Sequence, residues 1–360
     1  MRCMLLTILC LSAFFAEAQR FSNEFLSIGV GARAHGMGKT GVAIVNDATA
    51  GYWNPAGLAR LDHNGWQIAA MHAEWFAGVG KYDYLSGARK LGDKGRAIGI
   101  SLIRFGIDGI PNTLNLFEED GSINYDNVVP FSAADYALIA GLGQKLVKNS
   151  DKWTAGANFK IIYRNIGPFA SAFGFGLDAG IQYKSDKWQI GLSGKDITGT
   201  FNAWNINFTE EEKEVLELTN NEIPINSIEV TNPTFILGFA RSFELKNDFE
   251  LLAALDFLTT TDGKRNTLIK TDGFSIAPNL GFELNYKKFV FLRLGTSNFQ
   301  QDTDIGSDPF WTFDPSLGIG LVFKDLELDY AFTDIGDQRN STFSHIISLQ
   351  YKLPQKKTGK

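Results

Sequence analysis

The sequence predicts an all-β fold: a fourteen-stranded antiparallel transmembrane β-barrel with an N-terminal lumenal plug. Three observations predict it. The chain opens with an export leader. Most of the remaining chain consists of long segments that alternate with a period of two. The joins between those segments sort by length, short at one end and long at the other.

The leader comes first. Arg2 supplies a positive start, Met4 to Phe15 is almost wholly apolar, and Ala16-Glu17-Ala18 is an A-x-A cleavage site before Gln19. Residues 1–18 therefore read as a signal peptide, and the run is too short to cross a bilayer as a helix. Cys10 follows Leu9, where a lipoprotein site needs a small residue, so no lipid anchor is expected. Both cysteines, Cys3 and Cys10, leave with the leader, which removes disulfides and thiolate chemistry. After Gln19 no stretch of about 18 apolar residues appears. An exported chain that enters a membrane must then do so as a closed barrel, because only helices and closed barrels satisfy every backbone group in lipid.

Composition agrees. Charged residues are 21% of the 360, against 37 Gly and 29 Phe, which fits a sheet facing lipid better than a soluble enzyme. A net charge of -6 gives no electrostatic reason to expect nucleic acid, whose phosphates need clustered Lys and Arg.

The strands emerge from the alternation. From 274 to 286 one face carries Phe274, Ile276, Pro278, Leu280, Phe282, Leu284 and Tyr286, and the other Ser275, Ala277, Asn279, Gly281, Glu283 and Asn285. Segments 153–164, 173–184 and 343–352 repeat the logic. Successive side chains of a strand point to opposite faces, so each segment has an oily face and a polar or glycine face. The fourteen predicted strands are 66–75, 79–89, 96–105, 135–146, 153–164, 173–184, 188–196, 234–245, 249–258, 274–286, 289–298, 315–324, 326–334 and 343–352. Most are longer than the five or six residues of an ordinary strand and close to the nine to eleven a tilted membrane strand needs. Aromatics near their ends are the expected interfacial girdles: Trp66, Trp75, Trp153, Tyr163, Phe173, Tyr183, Trp188, Phe243, Phe249, Tyr286 and Tyr351. A soluble propeller or sandwich is the competing reading, and the strand length and broad aromatic face oppose it.

The joins check the count. Ser185-Asp186-Lys187, Lys246-Asn247-Asp248, Lys287-Lys288 and Lys324-Asp325 are short, whereas 106–134, 197–233, 259–273, 299–314 and 335–342 are long. With a periplasmic N-terminus every long join falls outside, as outer-membrane barrels require.

Residues 19–65 do not alternate and are rich in small residues, which lets them lie inside a ring too wide for its own side chains to fill. The candidate plug residues are Gly36, Gly38, Trp53, Asn54, Pro55 and Gly57. Gly36-Met37-Gly38-Lys39-Thr40-Gly41 matches G-x-G-x-x-G but has no βαβ context, and a P-loop ending at Gly38-Lys39-Thr40 would need Gly where Arg33 stands.

In this segment Gly31-Ala32-Arg33-Ala34, Gly36-Met37-Gly38, Asp47-Ala48-Thr49-Ala50 and Trp53-Asn54-Pro55-Ala56-Gly57-Leu58 resemble the N-terminal signature of the PorV/PorQ outer-membrane proteins. That family is related in fold to the FadL fatty-acid transporters, with fourteen strands and a lumenal hatch. The resemblance implies an outer-membrane location and a shuttle or accessory role in type IX protein secretion. The partners it implies are secreted proteins with C-terminal sorting domains, or translocon subunits, beside the lipid bilayer. The alternative is a FadL-like transporter of hydrophobic small molecules. Two features depart from the pattern: Lys39 stands at a position expected to be small or acidic, and the chain runs past Tyr351 to Lys360.

No enzyme, cofactor or metal is expected. His35, His63, His72 and His345 are scattered, and no G-x-S-x-G elbow is present. Lys160, Arg164, Asp178, Lys184, Asp256, Glu283, Arg293, Glu327 and Asp329 fall on the predicted lumen face, as a wall paired with itself and the plug. Glu210, Glu211, Glu212 and Glu214 point to a short exposed helix before Pro224. Recognition usually sits on long outer loops, so 106–134 and 197–233 are the candidate partner surfaces. Trp204, Phe208, Phe310 and Trp311 are the candidate anchors. Residues 353–360 form a tail.

Overall fold

In the computed structural model, described for residues 22–354 apart from 76, 93–94, 119, 149, 304–307 and 334–342, the strands close into one ring. The leader and most of the tail lie outside the described residues. β1 (Gln67–Trp75), β2 (Gly80–Leu91), β3 (Arg96–Asn112), β4 (Val129–Val147), β5 (Ser150–Ile166), β6 (Ala170–Lys184) and β7 (Trp188–Lys195) pair in succession, all antiparallel. A hairpin of β8 (Thr200–Ile206) and β9 (Ser227–Thr231) extends beyond β7 and leans on the start of β6. The ring resumes with β10 (Thr234–Glu244), which pairs β7, and β11 (Phe249–Thr260). After the two-residue β12 (Ile269–Lys270) come β13 (Ser275–Tyr286), β14 (Val290–Asp302), β15 (Phe310–Phe323), β16 (Leu326–Thr333) and β17 (Ser344–Lys352). β17 pairs β1 from Gln67↔Lys352 to Glu74↔His345, which closes the ring. Of the seventeen strands among the described residues, β8, β9 and β12 stand outside the closure, which leaves fourteen.

The oily rows face outward. Phe173, Phe175 and Leu177 on β6 are exposed, as are Leu292 and Leu294 on β14 and Leu317, Ile319 and Leu321 on β15. Their neighbours Asp178, Arg293 and Ser316 are buried. One girdle expectation fails. Trp75 is buried and faces inward, its ring centroid 5.7 Å from that of His35. Lys184, expected in the lumen, stands exposed at the end of β6.

At the long-join end the strands run further than the alternation predicts. β3 continues past a bulge at Ile107/Ile110 to Asn112, and β4 begins at Val129. Only residues 113–128 are left as the join, with a short 3-10 turn at Tyr125–Asn127. Beyond the lipid neither face must be oily, so the period-two signal fades while the hydrogen-bonded ladder continues. The acidic run forms α3 (Glu210–Leu218) after the two short helices α1 (Ala32–Gly36) and α2 (Ala50–Trp53). A reciprocal Thr209–Glu212 capping box starts α3 by satisfying its first donors.

At the short-join end, left-handed residues close the hairpins: Asn247 and Asp248, Lys287 and Lys288, and Lys324. The outward position Leu294, 57% exposed in mid-strand, gives a direct test of the lipid face. Leu294→Lys is expected to destabilise the barrel by about 2–4 kcal/mol, the cost of a cation at the bilayer midplane. Reversible denaturant unfolding in lipid vesicles measures it, and a cost near zero would mean that the row does not face hydrocarbon.

Candidate functional site

Residues 22–61 run through the inside of the ring, and the wall receives them with glycine. A Cβ added at Gly295 on β14 would fall 2.0 Å from the Gly38 nitrogen, and one at Gly281 on β13 would fall 2.3 Å from the Met37 oxygen. Gly36 meets Gly318 of β15 the same way, at 2.9 Å from its Cα. Across the ring, a Cβ at Gly156 on β5 would lie 2.3 Å from the Pro55 carbonyl carbon, and Gly99 on β3 and Gly143 on β4 meet Leu58 at 2.8 Å. Opposite walls thus hold one segment at backbone contact, where only glycine fits.

Polar contacts fix its register. Gly41 and Val42 donate their N–H groups to Asp256 Oδ2 at 2.9 and 3.2 Å. Gln182 Nε2 donates to the Val42 and Val45 carbonyls at 3.0 and 3.2 Å, and Asn158 Nδ2 to the Gly51 carbonyl at 2.7 Å. Asn54, fully buried, donates from Nδ2 to the Val42 carbonyl at 3.0 Å and accepts the Ala56 N–H at 3.1 Å, capping the turn Pro55–Arg60. Trp53 Nε1 donates to the Val30 carbonyl at 2.9 Å. Gly57 packs under Val45, whose oxygen a Cβ would meet at 2.4 Å. The six plug residues named from the sequence are therefore all buried at wall or self-contacts. Burial, with Lys39 nearby, lowers the His35 imidazole to about 3 and keeps it neutral.

One side of the segment is held by charge. Arg33 Nε and Nη2 reach the two carboxylate oxygens of Glu283, each at 2.8 Å. Arg293 Nε shares that carboxylate at 2.7 Å, and its Nη1 donates to Asp329 at 2.6 Å. Bidentate, charge-assisted pairs of this kind fix orientation as well as contributing energy.

On the other side lies a cavity of about 550 Å³ between the segment and the wall. Tyr52 and Trp53 supply its aromatic surface, with Leu26, Ile139, Ile236 and Leu258 beside them. Its polar lining includes Asn23, Asn279, Thr260, Lys39 and Arg265. Lys195 Nζ stands 3.9 Å from the Tyr52 ring centroid and 5.6 Å from that of Trp53. Lys160 Nζ bridges Asp178 at 2.7 Å and Asp196 at 2.6 Å. Here the wall loses regular pairing: Phe175↔Phe201 and Ala179↔Gly194 enclose three residues of β6 but six of the opposing chain. Aromatic faces, amides and paired charges in one half-open space suit a small molecule with an apolar body and polar groups.

The candidate anchors lie elsewhere. Trp204 is on β8, half-buried, with Nε1 donating to Glu229 at 3.0 Å and the Arg164 guanidinium 5.0 Å over its ring. Phe208 stacks on Phe169 with centroids 5.3 Å apart. Both hold the hairpin within the chain. Phe310 and Trp311 open β15, opposite Asp302 and Gln301, and Trp311 is exposed. Sequence reading missed Tyr52, Lys195 and Asp196. The Lys195-Asp196 pair at a strand end reads as an ordinary turn, and no spacing links it to Tyr52.

Glu283→Gln is expected to leave Arg33 and Arg293 facing an amide, at a cost of about 3–5 kcal/mol, the usual penalty for breaking a buried pair. Limited proteolysis reads the outcome: faster cleavage within residues 22–65 with the barrel intact is expected, and wild-type resistance would contradict it.

No protein-family model matches the chain, and no curated protein matches it. Solved structures do. The chain is similar to the toluene transporter TodX of Pseudomonas putida, at 14% identity and TM-score 0.56, over 90% of this chain and 98% of that one. A Pseudomonas aeruginosa FadL homologue is similar at 14% identity and TM-score 0.52, over 90% and 98%. The toluene transporter TbuX of Ralstonia pickettii is similar at 12% identity and TM-score 0.53, over 91% and 99%. At these identities the likeness shows the fold, that of the FadL-like fourteen-stranded outer-membrane barrels. None of the three bears on the narrower PorV/PorQ resemblance.

Proposed function

We propose that this chain is an outer-membrane transporter, not an enzyme, that passes a small amphipathic molecule through a lumen plugged by residues 22–61. The observation that carries the reading is the cavity of about 550 Å³ between that segment and the wall, floored by Tyr52 and Trp53. Its volume suits a small molecule. Toluene transporters of the same fold support the class of activity. The lining argues for a ligand with polar groups, because the Asn, Thr and charged side chains around it offer hydrogen bonds and charge that a pure hydrocarbon cannot use.

In this reading Gly36, Gly38, Asn54, Pro55 and Gly57 seat the plug, Trp53 lines the cavity, and movement of the plug opens a path. The secretion role implied by the signature in residues 28–61 draws no support from two of the expected anchors, since Trp204 and Phe208 are engaged within the chain.

Benzoate and toluene serve as probes for the purified barrel in detergent. Benzoate, with an aromatic body and a carboxylate, is expected to bind and perturb tryptophan fluorescence. The change should be lost in Trp53→Phe, and toluene should bind at least tenfold more weakly. If neither probe affects the emission, or if Trp53→Phe leaves the change intact, the cavity is not the ligand site.

A further inference from the structure

Round most of the ring the outward rows are oily through the middle of the strands. β6 shows it, with Phe173, Phe175, Leu177, Ala179, Ile181 and Tyr183 outward. The β1–β2 hairpin breaks the pattern. Outward on β1 stand Ile68, Ala70, His72 and Glu74. On β2 the outward positions begin with Lys81 and Asp83 before Leu85 and Gly87. Inward on the same strands are Met71, Ala73, Trp75, Tyr82 and Tyr84, all buried in an apolar cluster with the plug segment. The polarity of this flank is therefore reversed at its long-join end.

The charges form a patch. His72 Nδ1 lies 2.7 Å from Asp83 Oδ1, and Arg104 Nη1 on β3 lies 3.3 Å from Asp83 Oδ2. Lys81 Nζ reaches Asp108 at 3.1 Å. Glu74 stands opposite Lys81 on one side and His345 on the other, and it makes no ion pair within its own chain among the described residues. On β1 only Ile68 and Ala70 remain for lipid, about 10 Å of height at the rise and tilt of a barrel strand, against an apolar band about 25 Å tall. Hydrocarbon cannot solvate the rest.

We propose that this flank is the contact between two copies of the chain, side by side in the membrane about a twofold axis along the membrane normal. Such an axis, passing between β1 and β2, sets β1 of each copy against β2 of the other. Glu74 then faces Lys81 of the partner and His72 faces its Asp83, each contact made twice, as an isologous interface requires. The patch is its own electrostatic complement. Below it the small residue Ala70 lets the two backbones approach. The proposal does not depend on what the lumen carries.

Cysteine cross-linking in native outer membranes tests it, since Cys3 and Cys10 lie in the predicted leader. Ala70→Cys and Leu85→Cys, one to either side of the axis, are each expected to give a linked species of twice the chain mass with a short bismaleimide. Phe175→Cys and Leu317→Cys, on other flanks, are expected to give none. Glu74→Lys should lower the Ala70→Cys dimer yield at least tenfold, and adding Lys81→Glu should restore it, which a merely misfolded variant would not show. Cross-linking of Ala70→Cys to a protein of another mass would assign the flank to a different partner and overturn the proposal. So would labelling of that cysteine by a lipid-dissolved maleimide with no dimer formed, or a monomeric mass for the native protein in lipid nanodiscs.

Discussion

The structure depends on a single constraint: in hydrocarbon every backbone N–H and C=O must find a partner within the protein. An open sheet fails that condition at its two edges. The ladder between β1 and β17 removes both edges and turns the sheet into a ring. Once the ring is closed, the period-two pleat sorts side chains into two populations. One meets lipid, which accounts for its oily character. The other faces an interior that fourteen strands make too wide for side chains alone to fill.

The second population explains the N-terminal segment. A filled interior needs a chain that can lie against the wall, and close approach needs glycine on at least one of the two surfaces. Gly36 against Gly318 and Gly38 against Gly295 meet that need on one side, and Pro55 against Gly156 meets it on the other. Between such contacts the buried carboxylates Glu283 and Asp256 bind the segment through Arg33 and through backbone N–H groups. Polar residues on the inner wall are thus the counterpart of the segment's own unsatisfied donors. The cavity remains where this fit is loose, beside Tyr52 and Trp53, next to the irregular stretch of wall between Lys195 and Thr200.

The same physics decides how much of this the sequence disclosed. Lipid imposes a rule on alternate residues, so segments such as 173–184 and 274–286 announced themselves, and their closure count was readable. Outside the lipid the rule lapses. The extension of β3 to Asn112 and the β8–β9 hairpin therefore carried no periodic signal. Trp75 misled, because an aromatic at a strand end reads as a girdle residue, whereas here it turns inward toward His35. The residues at which the N-terminal segment meets the wall were legible as a cluster of glycines with Asn54-Pro55. Their partners were not, because pairs such as Arg33 with Glu283 join positions 250 residues apart. Nothing in the order of residues brings Lys195 to Tyr52 before the ring closes.

The polarity reversal on β1 and β2 is the exception that the sorting rule makes visible. The rule itself is tested most directly by spin labels placed one at a time along β6, from Phe173 to Tyr183, with the barrel in a lipid bilayer. Oxygen, which concentrates in hydrocarbon, should relax the labels at the odd positions strongly and those at the even positions weakly, with a strict period of two. Uniform relaxation along the strand, or strong relaxation at the even positions, would contradict the orientation of the wall and with it the closed ring in lipid.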